Sequence, residues 1–204
     1  MKIYDISQEV FSSAVFPGDP APGADVITRI ESGGICNLSS FSMCAHNGTH
    51  VDAPFHFFCD GRTIDALPLS HLIGLAFVAE HTGDVTGEDA LSILQKAQRG
   101  GEGCDKRILI KGDAVITLSA AEVFADAGVY LIGGESQTVG PPDAPAAVHR
   151  MLLKKGTVLL EGLRLQAVRE GRYLLHAAPL NLGGFDGAPC RATLIDIPFL
   201  EEIL

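Results

Sequence analysis

Histidines and a carboxylate are concentrated in one short stretch of the chain. Three of the seven histidines fall within eleven residues together with an aspartate: His46, His50, Asp52 and His56. Imidazole nitrogens and a carboxylate oxygen, without a thiolate, suit Zn²⁺ or Mn²⁺ better than sulfur-preferring metals. Burying these groups without a shared cation would leave costly unpaired polar groups. The stretch therefore predicts a metal site rather than four independent side chains.

The spacing of these four residues fits an extended chain better than a helix. Histidines four apart, such as His46 and His50, can share one helix face, but Gly48 and Pro54 argue against a helix here. Side chains alternate along an extended chain, and all four candidates lie at even separations. We therefore expect a strand with a turn at Pro54 that aims all four side chains at one side.

The elements that must position this motif change character along the chain. The first third predicts strands at 2–7, 26–30 and 39–45, with a turn-rich loop at 16–23 between the first two. The second half predicts an α/β alternation with strands at 108–110, 129–132, 157–160, 173–178 and 191–197. Helices are expected after the cap residues Thr86, Ser119 and Asp143. No linker interrupts the pattern, so residues 1–204 are expected to form a single domain.

Composition excludes several classes of function. The 204 residues are 47% hydrophobic and 20% charged, which excludes a disordered chain. Lys and Arg number 15 against 25 Asp and Glu, and the net charge of −10 argues against binding to nucleic acid or an anionic membrane. Five cysteines without a Cys-x-x-Cys pair, and a first segment without an apolar leader, predict a cytoplasmic protein.

The histidine motif resembles the signature of a known family. His46-x-Gly48-Thr49-His50-x-Asp52-x-Pro54-x-His56 is similar to the H-x-G-T-H-x-D-x-P-x-H pattern of the cyclase-like metal-dependent hydrolases, which include bacterial kynurenine formamidases and isatin hydrolases. Further similar segments at 5–7, 17–19, 60–69 and 184–192 extend the resemblance over nearly the whole chain. The implied fold is a swivelling β/β/α arrangement, in which a mixed, barrel-like sheet is flanked by a few helices.

The resemblance also implies a second half of the metal centre. It assigns His46, His50 and Asp52 to one ion, and it assigns His149 and Glu161, twelve residues apart, to another ion bridged by Asp52. Glu161 follows a predicted buried strand, and α/β sheets place ligand sites at the carboxyl ends of such strands. One or two Zn²⁺ or Mn²⁺ ions per chain are implied.

With these ligands assigned, His56 is left as the general acid/base. The implied reaction is hydrolysis of a small non-peptide amide, in which hydroxide formed on the metal attacks the carbonyl and His56 protonates the leaving nitrogen. The best candidate substrate is N-formylkynurenine, as for an arylformamidase of tryptophan catabolism, and a cyclic amide such as isatin is the alternative. Two other interpretations stay open: His56 as a third histidine ligand, and a non-catalytic metal-binding protein whose own ligands close the coordination sphere.

Candidate substrate contacts lie outside the metal motif. Phe16 stands where similar formamidases have an aromatic residue that is often Trp, and Ser136 and Gln137 follow a predicted strand. Asp186 and Arg191 belong to the last similar segment, and either a salt bridge near the site or contact with substrate would explain them. Members of the family generally pair with the partner's early loop near the active site, so we expect a homodimer.

Overall fold

A computed structural model describes residues 1–196, and within this range it has thirteen strands and four α-helices. The strands are β1 (Lys2–Asp5), β2 (Gly23–Thr28), β3 (Leu38–Ser42), β4 (His50–Asp52), β5 (Ile73–Glu80), β6 (Gly83–Val85), β7 (Arg107–Lys111), β8 (Ala114–Ile116), β9 (Leu131–Gly134), β10 (Val158–Glu161), β11 (Gly171–His176), β12 (Gly187–Pro189) and β13 (Thr193–Asp196). The helices are α1 (Leu69–Leu72), α2 (Gly87–Arg99), α3 (Leu118–Asp126) and α4 (Ala146–Lys154). Residue 197 of the last predicted strand lies outside the described residues.

Nine strands form one mixed, curled sheet in the order β1-β13-β11-β5-β7-β9-β10-β4-β12. The central strands β5, β7, β9 and β10 are parallel, and the strands on both sides of them are antiparallel. Two small sheets stand beside it, an antiparallel β2–β3 hairpin and a parallel β6–β8 pair. The predicted fold class, a mixed barrel-like sheet with a few helices, is confirmed.

The two faces of the large sheet bury separate hydrophobic clusters. On β7, Ile108 and Ile110 pack with the residues of α2, α3 and α4, whereas Leu109 between them packs into the cluster on the other face. This alternation is the period-two geometry of a strand buried on both sides. Each fully buried side chain of this size contributes roughly 1.5–3 kcal/mol. The central parallel strands are therefore a rigid support for the side chains at their carboxyl ends.

The helix boundaries agree with the sequence at one cap and differ at two. Thr86 caps α2 through the predicted capping box with Asp89. The cap of α3 is Thr117 rather than Ser119, because the Thr117 hydroxyl accepts the Ala120 N–H directly after β8 ends. Asp143 does not cap α4, whose cap position is taken by Pro145 without a side-chain hydrogen bond. Within residues 1–196, none of the helices is both long and apolar enough to cross a membrane.

Candidate metal centre

Strand pairing at one side of the sheet brings the first candidate ligands together. β4 runs antiparallel to β10, with His50 opposite Glu161 and Asp52 opposite Leu159. Because side chains alternate along β4, the buried Val51 points into one core cluster while His50 and Asp52 share the other face. Glu161 lies on that same face, since cross-strand partners in an antiparallel pair are neighbours. Three donors thus meet at the carboxyl end of a parallel strand.

Helix α4 supplies the fourth donor. Its apolar residues Val148 and Leu152 pack into the helix-side core, and this packing turns His149 inwards as well. The Nε2 atom of His149 lies 3.1 Å from Oε1 of Glu161 and 3.6 Å from Oδ2 of Asp52. His149 and Glu161, which the family resemblance assigned to the second ion, therefore lie together beside Asp52.

His46 and His56 reach the site without belonging to the strand. The predicted turn at Pro54 is present, but the strand before it is shorter than expected, because β4 spans only His50–Asp52 and His46 lies outside it. His46 lies in a turn before Gly48, whose φ of 65° is left-handed, and His56 ends a 3₁₀ turn begun by Pro54. Both interruptions use residues with special backbone preferences, which is why the even spacing did not produce a longer strand.

Distances among the donor atoms describe a two-part cluster that shares Asp52. Oδ1 of Asp52 lies 2.9 Å from Nδ1 of His46 and 3.4 Å from Nε2 of His50. Nε2 of His50 is also 3.4 Å from Oε2 of Glu161. Two groups of three possible ligands result, one of His46, His50 and Asp52 and one of Asp52, His149 and Glu161. All five candidate ligands are brought together, with Asp52 between the halves.

The orientation of two histidine rings fits metal binding. Nδ1 of His50 donates to the carbonyl of Gly48 at 3.1 Å, and Nδ1 of His149 donates to the carbonyl of Pro145 at 2.9 Å. Each bond fixes the ring so that its other nitrogen, Nε2, faces the carboxylates, where it donates an N–H when the ring is protonated and can bind a cation when it is not. Metal-ligating histidines characteristically have their second nitrogen held in this way. The donor set therefore fits a hard or borderline divalent cation such as Zn²⁺ or Mn²⁺.

The electrostatics of the cluster favour positive charge inside it. Burial, the largest single influence on His50, disfavours its charged form, but hydrogen bonds and charges of Asp52 and Glu161 outweigh burial and raise its pKa to about 10. Burial would also raise the pKa of Asp52, yet His46 and His50 hold that pKa well below its ordinary value. Because buried carboxylates need partners of opposite charge, the cluster is suited to cations.

A cavity of about 240 Å³ opens over the cluster. Its lining combines the candidate ligands and His56 with other side chains: Phe16, Asp19, Phe57, Gln137, Thr138 and Pro145. Of the predicted substrate contacts, Phe16 and Gln137 line this cavity. Ser136 lines an adjoining cavity of about 390 Å³ instead, and its hydroxyl accepts the Thr138 N–H. Both ends of the Gln137 amide are already bonded, to the Gln8 side chain and the Ala14 carbonyl.

Several site residues were not assigned from the sequence. Oδ2 of Asp186 accepts hydrogen bonds from Nε2 of His46 at 2.8 Å and Nδ1 of His56 at 3.0 Å. Thr138 is 5% exposed, and within residues 1–196 its hydroxyl has no hydrogen-bond partner. The only sequence signal was that Asp186 belongs to a family-like segment. Its neighbour in that segment, Arg191, instead forms an ion pair with Asp5, its Nε lying 2.8 Å from Oδ2.

Comparison with known proteins defines the class first. A solved structure described as a potential metal-dependent hydrolase with cyclase activity matches this fold with a TM-score of 0.80 and 27% identity, over 97% of this chain and 99% of the other. The class defined by fold and site together is that of the metal-dependent hydrolases. The family model described as "Putative cyclase" matches residues 4–141, more than half of the chain. The chain belongs to this cyclase family, and the resemblance seen in the histidine motif is confirmed.

Two named proteins illustrate the range of similarity. The chain is 38% identical to a kynurenine formamidase of Salinibacter ruber, over 97% of this chain and 99% of that protein. Isatin hydrolase A from Labrenzia aggregata has a TM-score of 0.82 at 20% identity, over 95% of this chain and 93% of that one. At that identity the second likeness is one of fold alone.

Gly187 should be essential to the position of His46. A Cβ atom at Gly187 would lie 2.7 Å from Cε1 of His46 and 2.8 Å from the Val51 carbonyl oxygen. We expect Gly187→Ala to displace the His46 ring and to weaken Zn²⁺ binding by roughly 10-fold or more, as for other changes beside a ligand. Competition with a chelating indicator measures this affinity.

Gly183→Ala is the matched control for that substitution. A Cβ atom at Gly183 meets nothing within 4 Å, and neither glycine has a left-handed backbone. Gly183→Ala should therefore bind Zn²⁺ like the wild type. Equal affinities for all three proteins would show that the His46 ring does not depend on this contact.

Proposed function

We propose that this protein hydrolyses the C–N bond of a small non-peptide amide, with N-formylkynurenine as its substrate. The observation that carries the proposal is a buried cluster of three histidines and two carboxylates beside His56 in a small cavity. Similarity to a kynurenine formamidase over nearly the full length of both chains supports this substrate. A further kynurenine formamidase, from Bacillus cytotoxicus, is 34% identical over 93% of this chain.

The metal would be held by the two halves of the cluster. His46, His50 and Asp52 are the proposed ligands of one Zn²⁺ or Mn²⁺ ion, and Asp52 with His149 and Glu161 those of a second. A divalent ion held there supplies Lewis-acid polarisation of a carbonyl and lowers the pKa of water. The residues of the chain bury most of the donor atoms, fix the orientation of the histidine rings and line the cavity that opens over the cluster.

His56 is the proposed general acid/base. Its side chain is 30% exposed, whereas those of His50, His149 and Glu161 are 4% exposed or less, so it is the histidine that a substrate can reach most readily. Nδ1 of His56 donates to Asp186, which leaves Nε2 to exchange a proton. Protonation of the departing nitrogen by His56 completes cleavage of the amide, because an amine leaves far more easily than its anion.

The size and lining of the cavity support a small aryl amide. A cavity of about 240 Å³ is below the range of typical drug-sized pockets and suits one small molecule rather than a peptide chain. Phe16 and Phe57 offer apolar surface for an aromatic ring. Gln137 is proposed to hold the loop at residues 8–14 against the cavity, and Ser136 would contact a substrate only where it extends into the adjoining cavity.

A homodimer is proposed from the β2–β3 hairpin. This hairpin and the turns beside it expose large apolar side chains: Val26, Ile27, Ile30, Ile35, Leu38 and Phe41. A concentration of exposed large apolar side chains on one hairpin commonly marks a protein–protein interface. An adjoining groove of about 500 Å³, lined by Phe11, Phe41 and Leu180 among others, offers a complementary apolar surface.

A cytoplasmic location is proposed as well, in keeping with five cysteines that are all free.

Removal of the metal should abolish hydrolysis of N-formylkynurenine. Dialysis against a chelator should remove the ions that the five proposed ligands hold, and Zn²⁺ or Mn²⁺ should restore the activity. The measurement is the rate of N-formylkynurenine loss before and after reconstitution, with isatin assayed in parallel. Preferential turnover of isatin would contradict the substrate, and full activity in metal-free protein would contradict the mechanism.

Loss of the His56 side chain should separate turnover from metal binding. His56→Ala should lower kcat by roughly 10²- to 10⁴-fold, the usual contribution of a general acid/base, while metal content stays at the wild-type value. His81→Ala is the control, because His81 bonds to the Asp84 carbonyl outside the cavity. Elemental analysis that finds an ion missing in His56→Ala would show that His56 is a ligand instead.

Charge on the hairpin should break the dimer. Ile35 is fully exposed, with a relative accessibility of 101%, so Ile35→Asp cannot harm the core of the chain. Light scattering during gel filtration should give the mass of a dimer for the wild type and of a monomer for Ile35→Asp combined with Phe41→Asp. Glu31→Ala in the same hairpin is the control and should stay dimeric. A monomeric wild type at high micromolar concentration would refute this assembly.

A further inference from the structure

The three candidate histidine ligands share one feature of orientation. Each has one ring nitrogen facing Asp52 or Glu161 and the other held by an acceptor outside the ligand cluster. For His50 and His149 that acceptor is a backbone carbonyl, at 3.1 and 2.9 Å. For His46 it is the carboxylate of Asp186, 2.8 Å from Nε2, while Nδ1 faces Asp52. One ligand is thus held by a charged side chain where the other two are held by backbone.

The same carboxylate oxygen also holds the proposed acid/base. Oδ2 of Asp186 lies 3.0 Å from Nδ1 of His56, in addition to its contact with His46. The two imidazole rings lie side by side, with centroids 4.2 Å apart and planes inclined by 35°. A displacement of Asp186 would therefore disturb both rings at once.

The backbone around Asp186 is fixed from two directions. The Ala53 N–H donates to the Asp186 carbonyl at 2.9 Å, directly after β4 ends. Two residues earlier, the Gly184 N–H donates to the Asp65 carboxylate at 3.0 Å. β12 then pairs with β4, placing Gly187 opposite Asp52. The carboxylate of Asp186 is consequently presented from a held position rather than from a free loop.

We propose that Asp186 is a positioning residue that sets both His46 as a metal ligand and His56 as the acid/base. By accepting from Nε2 of His46, it directs Nδ1 towards Asp52, where an ion held by His46, His50 and Asp52 would be bound. By accepting from Nδ1 of His56, it fixes the tautomer in which Nε2 of His56 faces the cavity. The part that concerns His56 rests on the proposed function, whereas the part that concerns His46 requires only that the cluster binds metal.

The main alternative to a positioning role is that Asp186 is itself a metal ligand. His46, His56 and Asp186 also form a group of three possible ligands. If Asp186 were itself a ligand, its removal would eliminate a bound ion even at saturating metal. A positioning residue instead changes affinity, typically by roughly 10- to 100-fold, while the number of ions at saturation is preserved.

The first experiment measures metal binding and ring tautomers without substrate. Asp186→Ala and Asp186→Asn are titrated with Zn²⁺ against a chelating indicator, and histidine nitrogen NMR at one fixed pH reports the His56 tautomer. We expect unchanged stoichiometry, a Kd raised roughly 10- to 100-fold in Asp186→Ala and less in Asp186→Asn, and loss of the Nδ1–H preference of His56. The control is Asp5→Asn, which removes the carboxylate paired with Arg191 beyond the end of β12.

The second experiment measures kcat and KM for N-formylkynurenine at saturating Zn²⁺. Asp186→Asn should lower kcat roughly 10- to 100-fold with little change in KM, and it should add little further loss in a His56→Ala background, because it acts through His56. If the two substitutions lower kcat by independent factors in the double variant, Asp186 does not act through His56.

The outcomes of the two experiments are distinguishable. A missing ion at saturation, an unchanged Kd or an unchanged His56 tautomer overturns the positioning role. If no variant and no wild-type protein hydrolyses the amide, the proposed function fails, while the substrate-free measurements still decide the role of Asp186.

Discussion

Two carboxylates inside the core constrain the rest of the site. Asp52 and Glu161 are 1% and 2% exposed, and a charged group so deeply buried is tolerated only beside groups of opposite charge. Three histidine rings surround the pair, and the fixed orientation of each ring turns a nitrogen towards the carboxylates. Because the two buried carboxylates require positive charge beside them, the pKa of His50 is raised and the cluster suits divalent cations.

The pairing register between β4 and β10 determines which side chains of β4 face the site. A shift of one residue would turn Val51 towards the site and put His50 and Asp52 into an apolar core, so the correct pairing is strongly favoured. β12 extends the same arrangement on the other side of β4, and Asp186, the residue directly before β12, lies at the outer edge of the cluster. One strand of three residues therefore aligns its own candidate ligands with Glu161 of β10 on one side and with the Asp186 carboxylate on the other.

Prediction from the sequence succeeded where chemistry depends on local pattern. Alternation along a strand correctly placed His50 and Asp52 on one face, and the apolar runs correctly indicated the central parallel strands. The same alternation did not extend to His46, because the chain turns at Gly48 before β4 begins, whereas His56 lies in the turn that was predicted at Pro54. The assignment of His149 required the resemblance to a family, since nothing in its own segment distinguishes it from an ordinary helix residue. Glu161 had a signal of its own, because it ends a predicted buried strand, where α/β sheets place ligand sites.

The sequence by itself determined the donor types and the class of cation they suit, because ligand chemistry depends on residue identity. The family resemblance of its motifs implied the fold class, and hydrophobic periodicity independently indicated the strand-rich first third and the α/β second half that agree with that fold. Only the tertiary structure decided that Asp186 contacts His46 and His56, 140 and 130 residues away along the chain. The physical reason is that these contacts arise from strand pairing between distant segments, and pairing partners are selected by the packing of the whole sheet rather than by local preference.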